Sequence, residues 1–160
     1  MLVLLFGSLA HAASQVGGER DFGIGLGLGS QVEGISIKLH DSTAAYQMVI
    51  GGYGGFGNFG EVWGARIDYL GEIPAFVQTD VLDLAANFGI GGFGGYVNPE
   101  FEGGAEGVVA LEALLVPIPV DVVVEWTPMF LITNLPWDYQ GPEDNRFHPV
   151  AFALHARIWL

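Results

Sequence analysis

Residues 22–30 read FGIGLGLGS, in which Phe22, Ile24, Leu26 and Leu28 alternate with Gly23, Gly25, Gly27 and Gly29. Strict alternation at period two marks a strand whose two faces meet different surroundings. The same pattern recurs along the chain. GISIKLH sets Ile35, Ile37 and Leu39 against Ser36, Lys38 and His40; AAYQMVIGG puts Tyr46, Met48 and Ile50 on one face. EVWGARIDYL opposes Trp63, Ala65, Ile67 and Tyr69 to Gly64, Arg66 and Asp68, and VLDLAANFGIGG opposes Leu82, Leu84, Ala86, Phe88 and Ile90 to Asp83, Ala85, Asn87 and Gly89. GVVALEALLV carries a weaker version around Glu112. VDVVVEWT sets Val120, Val122, Val124 and Trp126 against Asp121, Val123, Glu125 and Thr127. VAFALHARIWL sets Val150, Phe152, Leu154, Ala156, Ile158 and Leu160 against Ala151, Ala153, His155, Arg157 and Trp159. No segment shows a 3.6-residue period with helix caps.

Eight strands of about ten residues, joined neighbour to neighbour, predict an antiparallel meander that closes into a barrel. The connections expected are Asp41–Thr43, the glycine-aromatic segment 51–60, a longer stretch Glu72–Asp80 around Pro74, the acidic segment 95–106, Pro117–Pro119 and the long segment 133–147.

The minority faces decide which way round the barrel is built. They hold Gly23, Gly25, Gly27, Ser36, Lys38, Arg66, Asp68, Asn87, Glu112, Asp121, Glu125, His155 and Arg157: small residues, and charges of both signs. Three of the chain's five cations lie there, the others being Arg20 and Arg146. A soluble exterior would carry more Lys and Arg and mixed polar residues in place of glycine. A continuous Phe, Ile, Leu, Val and Trp face suits lipid, with Trp63, Tyr69, Trp126 and Phe152 placed for interfacial girdles. The expected fold class is therefore all-β: an eight-stranded antiparallel up-and-down transmembrane β-barrel. The glycines at 23, 25, 27 and 29 leave room opposite bulky lumen charges, because an eight-stranded interior is just wide enough for side chains.

Composition agrees with strands rather than helices as the apolar elements. Apolar residues make up 51% of the 160, yet no run approaches the ~20 residues that a membrane helix needs. The absence of cysteine excludes disulfides and thiolate chemistry, and a net charge of −13 disfavours nucleic acid as a partner. LVLLFGSLAHAAS ends an apolar run in Ala10-His11-Ala12, the form of a secretory cleavage site. Residues 1–12 are expected to be a signal peptide and 13–160 the barrel domain, with the N-terminus on the periplasmic side.

Taken together, these features resemble the small bacterial outer-membrane barrels of the OmpA/OmpX type. FGIGLGLGSQVEGISIKL and PVDVVVEWTP are also similar to a family of short, uncharacterised outer-membrane barrels. The last strand follows the alternation of outer-membrane targeting signals, although it ends in Trp159-Leu160 where Phe or Trp is usual. The resemblance implies a porin-like barrel in the outer membrane, inserted by the barrel-assembly machinery and surrounded by outer-membrane lipids and lipopolysaccharide, with no cofactor. A monomer is expected.

Candidate chemistry lies in the lumen. Lys38, Arg66, Asp68, Glu112, Asp121, Glu125, His155 and Arg157 are expected to form an ion-pair network that plugs the barrel, since an unpaired buried charge is costly. The alternative is a narrow channel for ions or small solutes. Ser36 and His40 share a face and raise a lipid-modifying activity, which no acidic partner beside His40 supports; no catalytic residues are assigned. GIGGFG (89–94) fits GxGxxG but is followed by Tyr96, Asn98 and Pro99 rather than a helix. His40, His148 and His155 lack metal-ligand spacing, and the seven residues from His148 to His155 predict opposite faces, so no metal is expected. Glu33, Glu61, Glu100, Glu102, Glu106, Asp138, Glu143 and Asp144 are expected in exposed acidic loops. A soluble, ligand-carrying barrel is the remaining alternative.

Overall fold

The computed structural model describes residues 21–41, 44–54, 62–97, 100–133 and 147–160; the expected signal peptide and the cores of the 51–60 and 133–147 connections lie outside them. The alternating segments form β1 (Phe22–Gly29), β2 (Val32–Asp41), β3 (Ala44–Tyr53), β4 (Trp63–Gln78), β5 (Leu82–Val97), β6 (Glu100–Leu115), β7 (Val120–Trp126), β8 (Met129–Thr133), β9 (Phe147–His148) and β10 (Phe152–Trp159). β7 and β8 form one stave interrupted at Thr127-Pro128, since both pair with β6 in a single register. β9 and β10 likewise form one stave. The ten strands are thus eight staves, each antiparallel to the next, and β1 pairs with β10 from Gly23↔Trp159 to Gly29↔Ala153 to close the sheet on itself. Among the described residues there is no helix.

Three staves are longer than the alternation predicts. β4, β5 and β6 each run 16 residues, or about 50 Å at the usual rise. The acidic segment 95–106 is not a loop: β5 and β6 stay paired up to Val97↔Glu100. Alternation in this stretch is carried by Gly, Ala and Glu, which are poor strand formers, and the ladder overrides that local preference. Nor is Glu72–Asp80 a loop. β4 continues through most of it, to Gln78, with a bulge in which the step from Ile73 to Val77 faces only the step from Ala86 to Leu84 on β5. Proline cannot donate to a ladder and is tolerated at such a bulge; Pro74 sits inside it. The bulge turns Ala75 inward against Ala85, Leu114 and Trp159.

A second bulge lies opposite Pro128. Between the pairs Trp126↔Phe152 and Met129↔His148 the last stave holds one residue more than its neighbour. The extra residue reverses the parity of everything before it. His148 therefore pairs with Met129, which packs inward, and shares the inner side with His155, contrary to the opposite faces expected from their spacing.

Burial follows the period of two. β10 alternates exposed and buried at every residue, and Leu26, Ile35, Ile50, Ile67, Ile90, Leu111, Val124 and Leu154 are exposed on successive staves. The interior is capped by apolar side chains at each end. Ala85, Leu114, Trp159 and Ala75 close the end where β1 begins, here called lower; Val32, Val49, Tyr53 and Phe93, with Val62, Met129 and Leu131, close the upper end.

Glycine sets the curvature of this wall. Gly27, Gly34, Gly51, Gly64 and Gly95 are paired in sequence across β1 to β5, an inward-facing row around half the barrel. A Cβ on Gly64 or Gly95 would run into the Tyr53 ring, so the bare wall is what lets Tyr53 lie across the lumen as part of the upper cap. Gly34, at φ 155°, is held so close to Ile50 that a Cβ would overlap its carbonyl oxygen. Gly25 is as restricted, because a Cβ would collide with the Ala156 carbonyl on β10. At Gly23 a Cβ meets only the Trp159 ring, at 3.3 Å. Gly25→Ala is therefore expected to destabilise the closed barrel by ~1–3 kcal/mol and Gly23→Ala by less. Chemical-unfolding midpoints of the two variants, followed by tryptophan fluorescence, check the order.

Candidate functional site

Lys38, Arg66, Asp68, Glu112, Asp121, Glu125, His155 and Arg157 all face the interior and are at most 2% exposed. They are brought together because β1 and β5, which stand opposite each other in the ring of eight, are bare along much of their inner faces. β1 contributes Gly23, Gly25, Gly27 and Gly29; β5 contributes Gly89, Gly91 and Gly95. Side chains from the flanking staves meet over these walls. Above β1, Ser36 on β2 reaches His155 on β10 at 3.0 Å, and Trp159 on β10 stacks edge-on against His40 at 4.6 Å with the Lys38 ammonium 5.9 Å from its ring. Above β5, Arg66 on β4 reaches Glu106 on β6 at 2.9 Å, and the Asp68 carboxyl lies against Gly91, where a Cβ would displace it.

The remaining bonds fall at three levels, some between neighbouring staves and some across the lumen. At the lower level Lys38 Nζ donates to Glu112 at 2.6 Å and pairs with Glu72 at 2.9 Å, while Asn87 donates to the same Glu112 oxygen at 2.6 Å. At the middle level Arg157 pairs with Asp121 at 3.0 Å and donates to Gln47 Oε1 at 2.6 Å. Gln47 in turn donates to Asp68 at 3.1 Å and to Glu125 at 2.8 Å. At the upper level Arg66 pairs with Asp68 at 2.9 Å, with Glu106 at 2.9 Å and with Glu125 at 2.6 Å. Gln31 donates to Glu106 and to the Thr127 hydroxyl, both at 3.1 Å. Gln47 links the Arg157 and Arg66 groups into one network.

Sequence reasoning missed four members of this network: Gln31, Gln47, Glu72 and Glu106. The signal was present for three of them. Gln47 has the parity of Ala45 and Val49, Glu72 that of Asp68 and Leu70, and Glu106 that of Val108 and Ala110. Glu106 and Glu33, expected in exposed acidic loops, are instead 4% and 0% exposed. Of the other residues placed in those loops, Glu61, Asp138, Glu143 and Asp144 lie outside the described residues, and Glu102 is paired in β6.

The pairing expected of Ser36 also differs. His40 turns away from it, toward Glu72 at 3.4 Å. Ser36 meets His155 instead, whose Nε2 lies 3.1 Å from Glu125. With the proton on Nε2, the nitrogen that faces Glu125, Nδ1 is left to accept the Ser36 hydroxyl. This is the connectivity of a Ser-His-acid relay. Its surroundings are those of a packed core: Ser36 is 0% exposed, and a Cβ on Gly27 would already lie 2.8 Å from His155 Nδ1, so a substrate carbonyl has no place beside the hydroxyl. Two open grooves of about 490 and 550 Å³ lie on the outside of the barrel instead, both lined by Ile90, Gly107 and Pro128. GIGGFG lies within β5 and forms part of the lumen wall.

Comparison of the chain with protein-family models, with curated proteins and with solved structures finds no match. The barrel and its lumen are therefore read on their own geometry.

The network makes its members unequal. Arg66→Met strands three carboxyl groups at once, a change of the kind that costs ~3–5 kcal/mol when one partner of a buried ion pair is removed. Ser36→Ala removes one neutral hydrogen bond, worth ~1 kcal/mol. Unfolding midpoints are expected to fall in that order, with Arg157→Leu, which strands Asp121, near Arg66→Met.

Proposed function

We propose that the chain is an up-and-down outer-membrane β-barrel whose role is structural or interactive, with a plugged lumen and with its contacts made by the segments that connect the staves. One observation carries the reading: the barrel is inverted relative to a soluble protein. Its exterior is apolar on every stave, and its interior holds the ion pairs. Monomeric soluble proteins rarely expose contiguous apolar patches beyond a few hundred Å². A band of exposed Ile, Leu, Val, Phe and Trp around a closed barrel is the surface that hydrocarbon requires. The staves suit the thickness to be crossed, since about 9–11 tilted residues suffice and the longest run to 16. Trp63, Tyr96 and Phe101 are paired in a row across β4, β5 and β6 and are more than half exposed, in keeping with an interfacial girdle at the upper rim.

On this reading the N-terminus is periplasmic and the upper rim faces outward. The plug is favoured over the channel because the polar network lies between two apolar caps and its charged groups are already committed to one another. Catalysis is not proposed, for want of space at Ser36. Outer-membrane lipid and lipopolysaccharide are the surroundings this surface suits, and the barrel-assembly machinery is the route of insertion that such a fold uses.

The mature chain is expected in the outer-membrane fraction, with faster gel mobility unboiled than boiled, and without steady conductance in planar bilayers. Recovery in the soluble fraction, with no shift on boiling, overturns the membrane reading. Stable unitary currents overturn the plug.

A further inference from the structure

Among the described residues three cations, Lys38, Arg66 and Arg157, share one buried network with six carboxyl groups, those of Asp68, Glu72, Glu106, Glu112, Asp121 and Glu125, and Glu33 is buried besides. Buried charge without a partner is too costly to persist, so an interior of this kind must take up a neutralising ligand. Two ligands have the right charge: a metal ion or a proton. Among the described residues no three His, Asp or Glu side chains are arranged to hold a metal ion.

The position of the missing charge is marked by a missing donor. Asp68 is 1% exposed, and its Oδ1 has no hydrogen-bond donor among the described residues, whereas Oδ2 receives Gln47 Nε2 and lies 2.9 Å from Arg66 Nε. The carboxyl group brought to the same Arg66 nitrogen is that of Glu106, which is 4% exposed and whose Oε1 also has no hydrogen-bond donor among the described residues. Both carboxyls lie 2.9 Å from the same Arg66 Nε, whose N–H is aligned for a hydrogen bond with neither. The other groups facing the pair are Gln47 from β3, Glu125 from β7, with His155 of β10 behind it, and Gln31 ahead of β2; β5 presents only Gly91. Of these, Arg66 is the one cation, and Glu125 already takes its Nη2 at 2.6 Å.

We infer that Asp68 and Glu106 form a proton-binding site in the lumen, with the proton carried by Glu106 and donated to Asp68 Oδ1. Each acid has one oxygen supplied, Asp68 Oδ2 by Gln47 and Glu106 Oε2 by Gln31, and one oxygen bare, so a proton between the bare oxygens serves both. Glu106 is the acid, because its O–H provides the one donor that Asp68 lacks. The site belongs to the sealed lumen and stands whichever medium surrounds the barrel, so its failure and that of the membrane reading are separable. It makes the plug a proton-holding element, as in other sites where two adjacent carboxyl groups cannot both ionise.

The test is infrared spectroscopy of the folded full-length mature chain at neutral pH, in the medium that keeps it folded. The wild type is expected to show the carbonyl stretch of a protonated carboxyl group, and E106Q to lose it. Because the side-chain amide that E106Q introduces donates where the acid proton did, this variant is expected to keep the wild-type unfolding midpoint or raise it. Asp68→Asn, which removes the anion from Arg66, is expected to lower it. Absence of the band in the wild type, its survival in E106Q, or a midpoint for E106Q as low as that of Asp68→Asn overturns the inference. Should E106Q not fold, the wild-type spectrum alone decides, since a lumen without the protonated acid has no such band.

Discussion

An eight-stranded barrel has an interior wide enough for side chains and little else. This chain asks that interior to hold Arg66, Arg157, Lys38 and their carboxylate partners, all buried. The pairing of these charges across so narrow a space is the constraint on which the rest depends. Long side chains from neighbouring staves cannot meet if every stave fills its own share of the lumen. The glycine faces of β1 and β5 remove two opposite walls from the competition. Ser36 then touches His155 over Gly27, and Arg66 touches Glu106 over the inner face of β5. The alternating glycines at 23–29 weaken β1 as an isolated strand. Inside the closed sheet the ladder supplies what local preference lacks, and the absent side chains become the volume that the ion pairs occupy.

The same constraint explains why the ends of the barrel are apolar. Water entering from either rim would compete for the donors of Arg66 and Arg157. Trp159, Leu114 and Ala85 at the lower end, and Tyr53, Phe93 and Val49 at the upper, keep the network dry. The bulge at Pro74 belongs to this lower cap, because it carries Ala75 across the mouth. What reads in sequence as an overlong connection is a strand that leaves its ladder briefly to help close a pore.

Much of this arrangement is legible from period two alone. Alternation places the charges of β2, β4, β6, β7 and β10 on one face, and no other fold accommodates eight such faces as simply as a barrel. Parity also carries Gln47, Glu72 and Glu106, which were missed because Gln47 stood in a mostly apolar strand and the other two in segments read as connections by their Gly, Pro and Glu content. Bulges are the second gap. The extra residue opposite Pro128 moves His148 to the inner side, and no local signal besides the proline announces it. Partners across the lumen are the third. Ser36 shares its inner face with His40 on the same strand, yet its partner is His155, 119 residues away, because β10 closes against β1 and β1 is bare. Such contacts depend on closure and stagger, which are properties of the whole sheet.

A polar lumen is an expensive way to fill a barrel if stability alone is the measure. A buried ion pair returns little more than the cost of desolvating its members, and apolar side chains of equal volume often do better. Its effect on register is different. In a sheet, a slip of one residue exchanges the two faces of a strand. Here such a slip would turn Arg66 and Asp68 outward among Ile67 and Tyr69, and would drive those apolar groups against the charges that remain. A barrel lined with Leu and Val and coated with the same residues would tolerate that slip, since both faces would be alike. The charges distinguish inside from outside, and the glycines of β1 fix which residues of β2 and β10 face each other at the seam. The network therefore selects one closure among many, and the exterior is left free to be uniformly apolar.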